Sequence, residues 1–140
     1  MILQDPHDAL HARCEPVTFP EAKRIAKTLR DAYQEVSKKA KDTLVVGLAA
    51  PQIGIPKRMF AMYGIVFINP SFTAHGPKLV DSAEGCLSLP DTYHPKRYDT
   101  ILATWTDEAR RLRRELLEGR DAVVFQHEFD HLEGRLCNEL

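Results

Sequence analysis

The stretch "VVFQHEFDHLEG", Val123 to Gly134, constrains this chain more than any other part of it. It sets His127 and His131 four residues apart, with Glu128 directly after the first. On a helix, positions i and i+4 lie one turn apart on one face, so both imidazoles can meet a single ion. Glu128 falls beside that face, in reach of a water at the ion as a general base. Two solvated surface histidines are the bland alternative, and for a lone histidine that alternative would prevail. Spacing and base together favour a metal site. A further ligand must then come from elsewhere, because only nine residues follow His131.

A chain of 140 residues supplies one core, so one domain over residues 1–140 is expected. Net charge is −1, with 44% hydrophobic and 28% charged residues, which gives no general affinity for nucleic acid or an anionic membrane. The opening "MILQDPHDALHARCEPV" lacks the basic-then-apolar pattern of a signal peptide. The most apolar run, "TLVVGLAAPQIGI", is too short and too interrupted by proline and glycine to span a bilayer. Cys14, Cys86 and Cys137 are scattered and odd in number, so a reducing, cytosol-like compartment is expected.

Apolar residues at Ile25, Leu29, Tyr33 and Val36 predict a helix from about Glu21 to Ala40. "GIVFINP" and "DTILATWT" are rich in β-branched and aromatic residues and read as strands. Asp121 to Leu132 reads as a second helix, with Asp121 as N-cap and Gly134 as its stop. "EARRLRRELLE" is contradictory: its composition favours helix, but its place after "DTILATWT" suits a hairpin strand. The expected fold class is α+β, with mostly antiparallel strands packed around the C-terminal HExxH-bearing helix and an N-terminal helix besides.

A catalytic site of this kind takes a third protein ligand and keeps one place open for water. Glu133 and Glu139, the only acids after His131, are too close along the chain to fold back onto the ion. "HEFDHLEGRLC" places Cys137 where metzincin-like peptidases carry a third histidine, and a thiolate there binds zinc or iron. Upstream, "EGCLSLP" puts Cys86 beside a glycine, where backbone can approach a ligand closely. For either cysteine the alternative is a small buried hydrophobe. Spacing alone leaves the choice open.

Three stretches taken together resemble the peptide deformylase family, whose motifs are G-x-G-L-A-A-x-Q, E-G-C-L-S and Q-H-E-x-D-H-L-x-G. The chain carries "VVGLAAPQ" ending at Gln52, "EGCLS" from Glu84 to Ser88 and "QHEFDHLEG" from Gln126 to Gly134, in that order. The resemblance implies Cys86, His127 and His131 as ligands of one divalent ion, iron(II) first, with zinc, nickel or cobalt as alternatives. It implies Glu128 as general acid/base, and Gln52 with the Leu87 backbone N–H as donors to the oxygen of the attacked carbonyl. The implied substrate is the N-formylmethionyl end of a new polypeptide, hydrolysed to formate and a free amino terminus. Val46, Val123 and Val124 are candidates to line a slot for the methionine side chain, though each valine could equally be packing the core. The Gly47 backbone is expected to pair with the peptide in strand-like fashion.

Two features depart from that pattern. Val45 replaces a glycine of the first motif, which excludes positive φ and adds bulk near the pocket. Arg97 is the nearest match to an arginine that follows "EGCLS" in the family, but it falls about one residue short, so no site role is assigned to it. The ending "CNEL" resembles short forms carried by some bacteriophages and organelle-type enzymes, which lack the C-terminal helix that docks bacterial members on the ribosome. Host bacterial cytoplasm or an organelle matrix is then the expected location, with no membrane and no specific nucleic acid as partner. Ribosome association would fall to "RRLRR", Arg110 to Arg114, although such a run is more often a solvated face. A metzincin-like peptidase using Cys137 and a non-catalytic, metal-stabilised binding module are the competing readings.

Overall fold

The computed structural model describes residues 1–40, 45–76 and 78–140. Helix α1 spans Phe19–Lys39, starting two residues before the apolar spacing predicts. Thr18 is its N-cap, and the Glu21 carboxylate accepts hydrogen bonds from the Thr18 N–H at 2.8 Å and hydroxyl at 2.7 Å. Pro20 sits in the first turn, where a missing N–H leaves nothing unpaired. Ala22, Ile25, Ala26 and Leu29 form the buried stripe.

Strands β1 (Gly47–Ala49), β2 (Met59–Met62) and β3 (Ile65–Ala74) follow, then β4 (Leu79–Asp81), β5 (Glu84–Gly85), β6 (Thr92–Tyr93) and β7 (Lys96–Tyr98). Next come β8 (Thr100–Thr106), β9 (Leu112–Glu118) and helix α2 (Gly119–Leu132). The main sheet has the order β1-β2-β3-β8-β9, antiparallel throughout, while β4 pairs β7 and β5 pairs β6. The α+β class expected from the sequence is the one observed.

Alternation along β2 explains why the sheet is covered on both sides. Met59 and Ala61 pack with Ile25, Leu29 and Leu48 on the α1 side. Phe60 and Met62 pack with Phe67, Trp105 and Phe125 on the α2 side. Phe125 stands edge-on to Phe60, with ring centroids 5.1 Å apart. Strand β3 runs past Pro70, where the predicted strand stopped. The register to β8 shifts between Ile68 and Ser71, and the proline sits in that irregularity. Asn69 turns through it at φ 48°, its side-chain amide bonded to both the N–H and the carbonyl of Val17.

"EARRLRRELLE" resolves as the hairpin strand: β9 pairs β8 continuously from Thr106↔Leu112 to Thr100↔Glu118. Ladder bonds and the inward packing of Leu117 outweigh its helical composition. Asp121 is not the N-cap of α2. Gly119, at φ 61°, turns the chain directly from β9 into the helix, so Asp121 lies in the first turn, where its charge meets the positive end of the helix. Gly134 does follow the helix, at φ 75°. No helix among the described residues is long and apolar enough to cross a membrane.

A Cβ on Gly134 would stand 2.7 Å from the backbone carbon and oxygen of His11. Gly134→Ala is therefore expected to destabilise the fold by at least about 1–3 kcal/mol, from the backbone conformation alone. Urea unfolding measures it, and an unchanged midpoint would show that the close packing of the helix end on the N-terminal segment is not required.

Candidate metal centre

Helix α2 brings Val123, Val124, His127, Glu128 and His131 to one region, as their spacing requires. His127, Glu128 and His131 are all buried. The two imidazoles stand nearly perpendicular, with ring centroids 5.2 Å apart. Cys86, from the loop after β5, sets its Sγ 3.5 Å from His131 Nε2. The ligand atoms of Cys86, His127 and His131 lie within 4.8 Å of one another. A sulfur and a nitrogen bound tetrahedrally to a zinc-sized ion, at ~2.3 and ~2.0 Å, stand about 3.5 Å apart. The trio therefore fits one such ion.

Cys137 falls elsewhere. It groups with Glu84 and His127, without His131. Of the two cysteines that sequence spacing left open, Cys86 is the one that meets both histidines.

Behind the trio lies a buried ion network. Glu84 accepts from His127 Nδ1 at 2.7 Å and from Arg97 Nε and Nη2 at 2.8 Å each. Arg97 also bonds Asp130, and Ser82 donates its hydroxyl to Glu84. Fixing one ring nitrogen of a histidine orients the other toward its ligand. Arg97, to which sequence reasoning gave no role, is 4% exposed and anchors this chain of contacts. A signal was present: two motifs each carried an acid without a task, Glu84 and Asp130, and two buried acids require a cation.

Gln52 sits in the short 3-10 turn Ala50–Ile53, which follows β1. Its Oε1 accepts from Ala49 N–H at 2.9 Å, which aims the amide nitrogen at Ser88 Oγ, 3.1 Å away, and toward Cys86 Sγ at 3.8 Å. The N-terminal segment laces both loops together: Leu3 N–H donates to the Gln52 carbonyl at 2.7 Å and Asp5 N–H to the Ser88 carbonyl at 3.0 Å. The Leu87 carbonyl accepts from the Gln4 side chain at 2.8 Å. Gln126 anchors α2 itself, bonding the N–H and carbonyl of Tyr98 on β7.

Gly47 makes the closest approach. A Cβ there would come within 2.5 Å of Glu128 Oε2. The other carboxylate oxygen of Glu128 is buried without a hydrogen-bond partner among the described residues. Burial pushes the Glu128 carboxyl up to about 7. Burial also drives His131 well below its ordinary value. Burial opposes the His127 cation too, but Cys137, Cys86 and Glu84 around it raise its pKa. For Glu84, the bonds from Arg97, His127 and Ser82 outweigh burial and hold the carboxyl down to about 2.

The cleft over these groups has a volume of about 470 Å³. Gln52, Cys86, Leu87, His127 and Glu128 line it, as do the four residues named for substrate contact, Val46, Gly47, Val123 and Val124. Val45 lines it as well; its backbone avoids positive φ, and its carbonyl accepts the Tyr33 hydroxyl at 2.9 Å.

A His-Glu-x-x-His helix with a loop thiol beside it, on an antiparallel α+β frame, is the arrangement of an HExxH metallohydrolase. The family model for polypeptide deformylase matches residues 1–139. Peptide deformylase 2 of Bacillus subtilis is 36% identical over 155 residues, covering 95% of this chain and 84% of its own length. The crystal structure of peptide deformylase from Thermotoga maritima superposes with a TM-score of 0.88 at 34% identity, covering 99% of this chain and 95% of that one. A Plasmodium falciparum peptide deformylase in complex with an inhibitor gives 0.88 at 32%, covering 99% and 87%. The chain belongs to the peptide deformylase family, metallohydrolases that remove the formyl group from N-formylmethionyl peptides.

The ion network predicts acid sensitivity with a definite sign. Glu84 has a folded-state pKa of about 2 against an ordinary 4.5, so its contribution to stability is complete above pH 4.5 and is lost as pH falls toward 2. For the metal-free chain the loss is on the order of 3 kcal/mol. Glu84→Gln should be less stable at pH 7 and should show a flatter slope below pH 4.5. Urea midpoints across that range check this, and equal slopes for the two proteins would contradict it.

Proposed function

We propose that Cys86, His127 and His131 hold one divalent ion and that Glu128, Gln52 and Leu87 hydrolyse the N-formyl group of N-formylmethionyl chain ends beside it. The observation that carries this reading is the convergence of the Cys86 thiol with the His127 and His131 imidazoles, beside a cleft lined by Cys86, His127 and the buried Glu128 carboxyl. One thiolate with two imidazoles suits zinc, iron(II), nickel or cobalt, and iron(II) as the native ion is what the family resemblance implies. An ion held there supplies Lewis acidity, lowering the pKa of a water and polarising the carbonyl it faces. Glu128, whose carboxyl titrates near neutrality, takes the proton of the attacking water and returns it to the departing amine. The Gln52 amide and the Leu87 N–H donate to the carbonyl oxygen as it gains charge. Formate and a free methionyl amino terminus result.

Strand β1 is an edge of the main sheet, so a substrate backbone can extend that sheet beside Gly47. The methionine side chain then enters the slot between Val46, Val123 and Val124. We place the reaction in the cytoplasm, where formylated chains are made; three free cysteines suit that setting. A ribosome contact through the arginine cluster gains little support. Arg111 and Arg113 are paired with Asp107, and Arg110 lies over the Phe19 ring.

Cys86→Ala and Cys137→Ala, made separately, test the ligand set. Metal content should collapse in the first and persist in the second; the reverse would favour the peptidase-like arrangement. Glu128→Gln should keep both metal and fold while turnover falls by about 10²–10⁴-fold. Undiminished turnover would remove Glu128 from its role and leave the binding-module reading in front.

A further inference from the structure

The two edges of the main sheet differ. β1 borders the cleft, whereas β9 ends the sheet at the far side. Within Leu112–Glu118 every residue but Leu117 is exposed, and Leu112 and Leu116 are exposed to 76% and 48%. Soluble proteins commonly blunt such an edge with a proline, a bulge, a covering loop or charges of one sign that repel a second copy. β9 contains no proline and pairs with β8 without a break. It carries charges of both signs instead: Arg113, Arg114, Glu115 and Glu118.

The direction of its free backbone groups follows from the hairpin turn. Asp107 N–H donates to the Arg111 carbonyl at 2.9 Å. Bonded and non-bonded pairs alternate along an antiparallel ladder, so Arg113, Glu115 and Leu117 bond back to β8. The N–H and carbonyl groups of Leu112, Arg114, Leu116 and Glu118 therefore point outward from the sheet.

We infer that β9 is a homodimer contact, in which two copies pair their β9 strands antiparallel about Arg114 and join two five-stranded sheets into one. The charge pattern selects this register. Pairing about Glu115 would oppose two glutamates in a close, non-bonded pair, and pairing about Leu116 would leave Leu112 without a strand partner, since its counterpart, position 120, lies in α2. Pairing about Arg114 sets Arg113, which within its own chain already stands 3.6 Å from both Asp107 and Glu115, against Glu115 of the partner subunit, twice, in the close pairs. It also sets Leu112 against Leu116 of the partner subunit, twice. The outward groups of Leu112, Arg114 and Leu116 are all satisfied. The one like-charged pair, between the two copies of Arg114, occupies a wide pair, where Cα atoms stand about 5.5 Å apart and long side chains diverge. The strand is its own complement, which a foreign peptide would match only by sharing this order of charges.

Sedimentation velocity on the full, metal-loaded chain across a concentration series provides the test. A concentration-dependent dimer is expected, weakened by salt because its specificity is ionic. Arg113→Glu alone and Glu115→Arg alone should each weaken association at least tenfold, since each places like charges in both close pairs. Mixing the two variants should restore a dimer, now heteromeric, because both close pairs become opposite in charge. Arg114→Pro deletes an outward N–H while sparing the ladder to β8, and it should abolish pairing with deformylase turnover retained as proof of fold. A monomer at every concentration overturns the inference. So does a dimer indifferent to these substitutions, or a mixture that stays monomeric.

Discussion

The buried guanidinium of Arg97 is the contact on which the site depends. It joins Glu84, beside the Cys86 loop, to Asp130 on α2, and so fixes the two elements that carry Cys86 and the two histidines. Removing three charges from water is unfavourable unless each finds its partner, and here the network also absorbs His127. Withdrawing any one member would strand the others; breaking such a buried pair typically destabilises by about 3–5 kcal/mol. The same contacts that hold the fold at this point also set which nitrogen of His127 faces the cleft.

A second constraint is steric. Alternation along β1 points Leu48 toward α1 and Ala49 toward α2, so position 47 also faces α2. Only a residue without a side chain lets the Glu128 carboxylate lie against that strand. The sheet edge, the Glu128 carboxylate proposed as general base and the proposed line of the substrate backbone are thereby brought together by one glycine. The N-terminal segment then closes the arrangement from outside, holding the Gln52 turn and the Cys86 loop through its own backbone.

What was legible in the sequence was mostly local. The i, i+4 spacing of His127 and His131 implied a helical half-site, and enrichment in β-branched and aromatic residues implied the strands around "GIVFINP" and "DTILATWT". Choosing Cys86 over Cys137 was beyond spacing, because it depends on which loop the sheet carries to the helix. The resemblance in three motifs supplied that choice; the fold brings Cys86 to both histidines and Cys137 to His127 and Glu84. β9 was ambiguous because helix propensity and ladder pairing oppose each other, and only the tertiary partner decides. Asp121 was misread as a cap because Gly119 can turn a strand straight into a helix, a conformation that composition does not reveal. Arg97 was passed over because its importance lies in contacts with residues distant along the chain, not in any motif.

The most direct measurement is release of free amine from a short formyl-Met peptide by the full chain, prepared without oxygen and loaded with iron(II). Turnover should stop on chelation and return when the ion is restored. A protein with its metal fully bound and no turnover above buffer would contradict the proposed function.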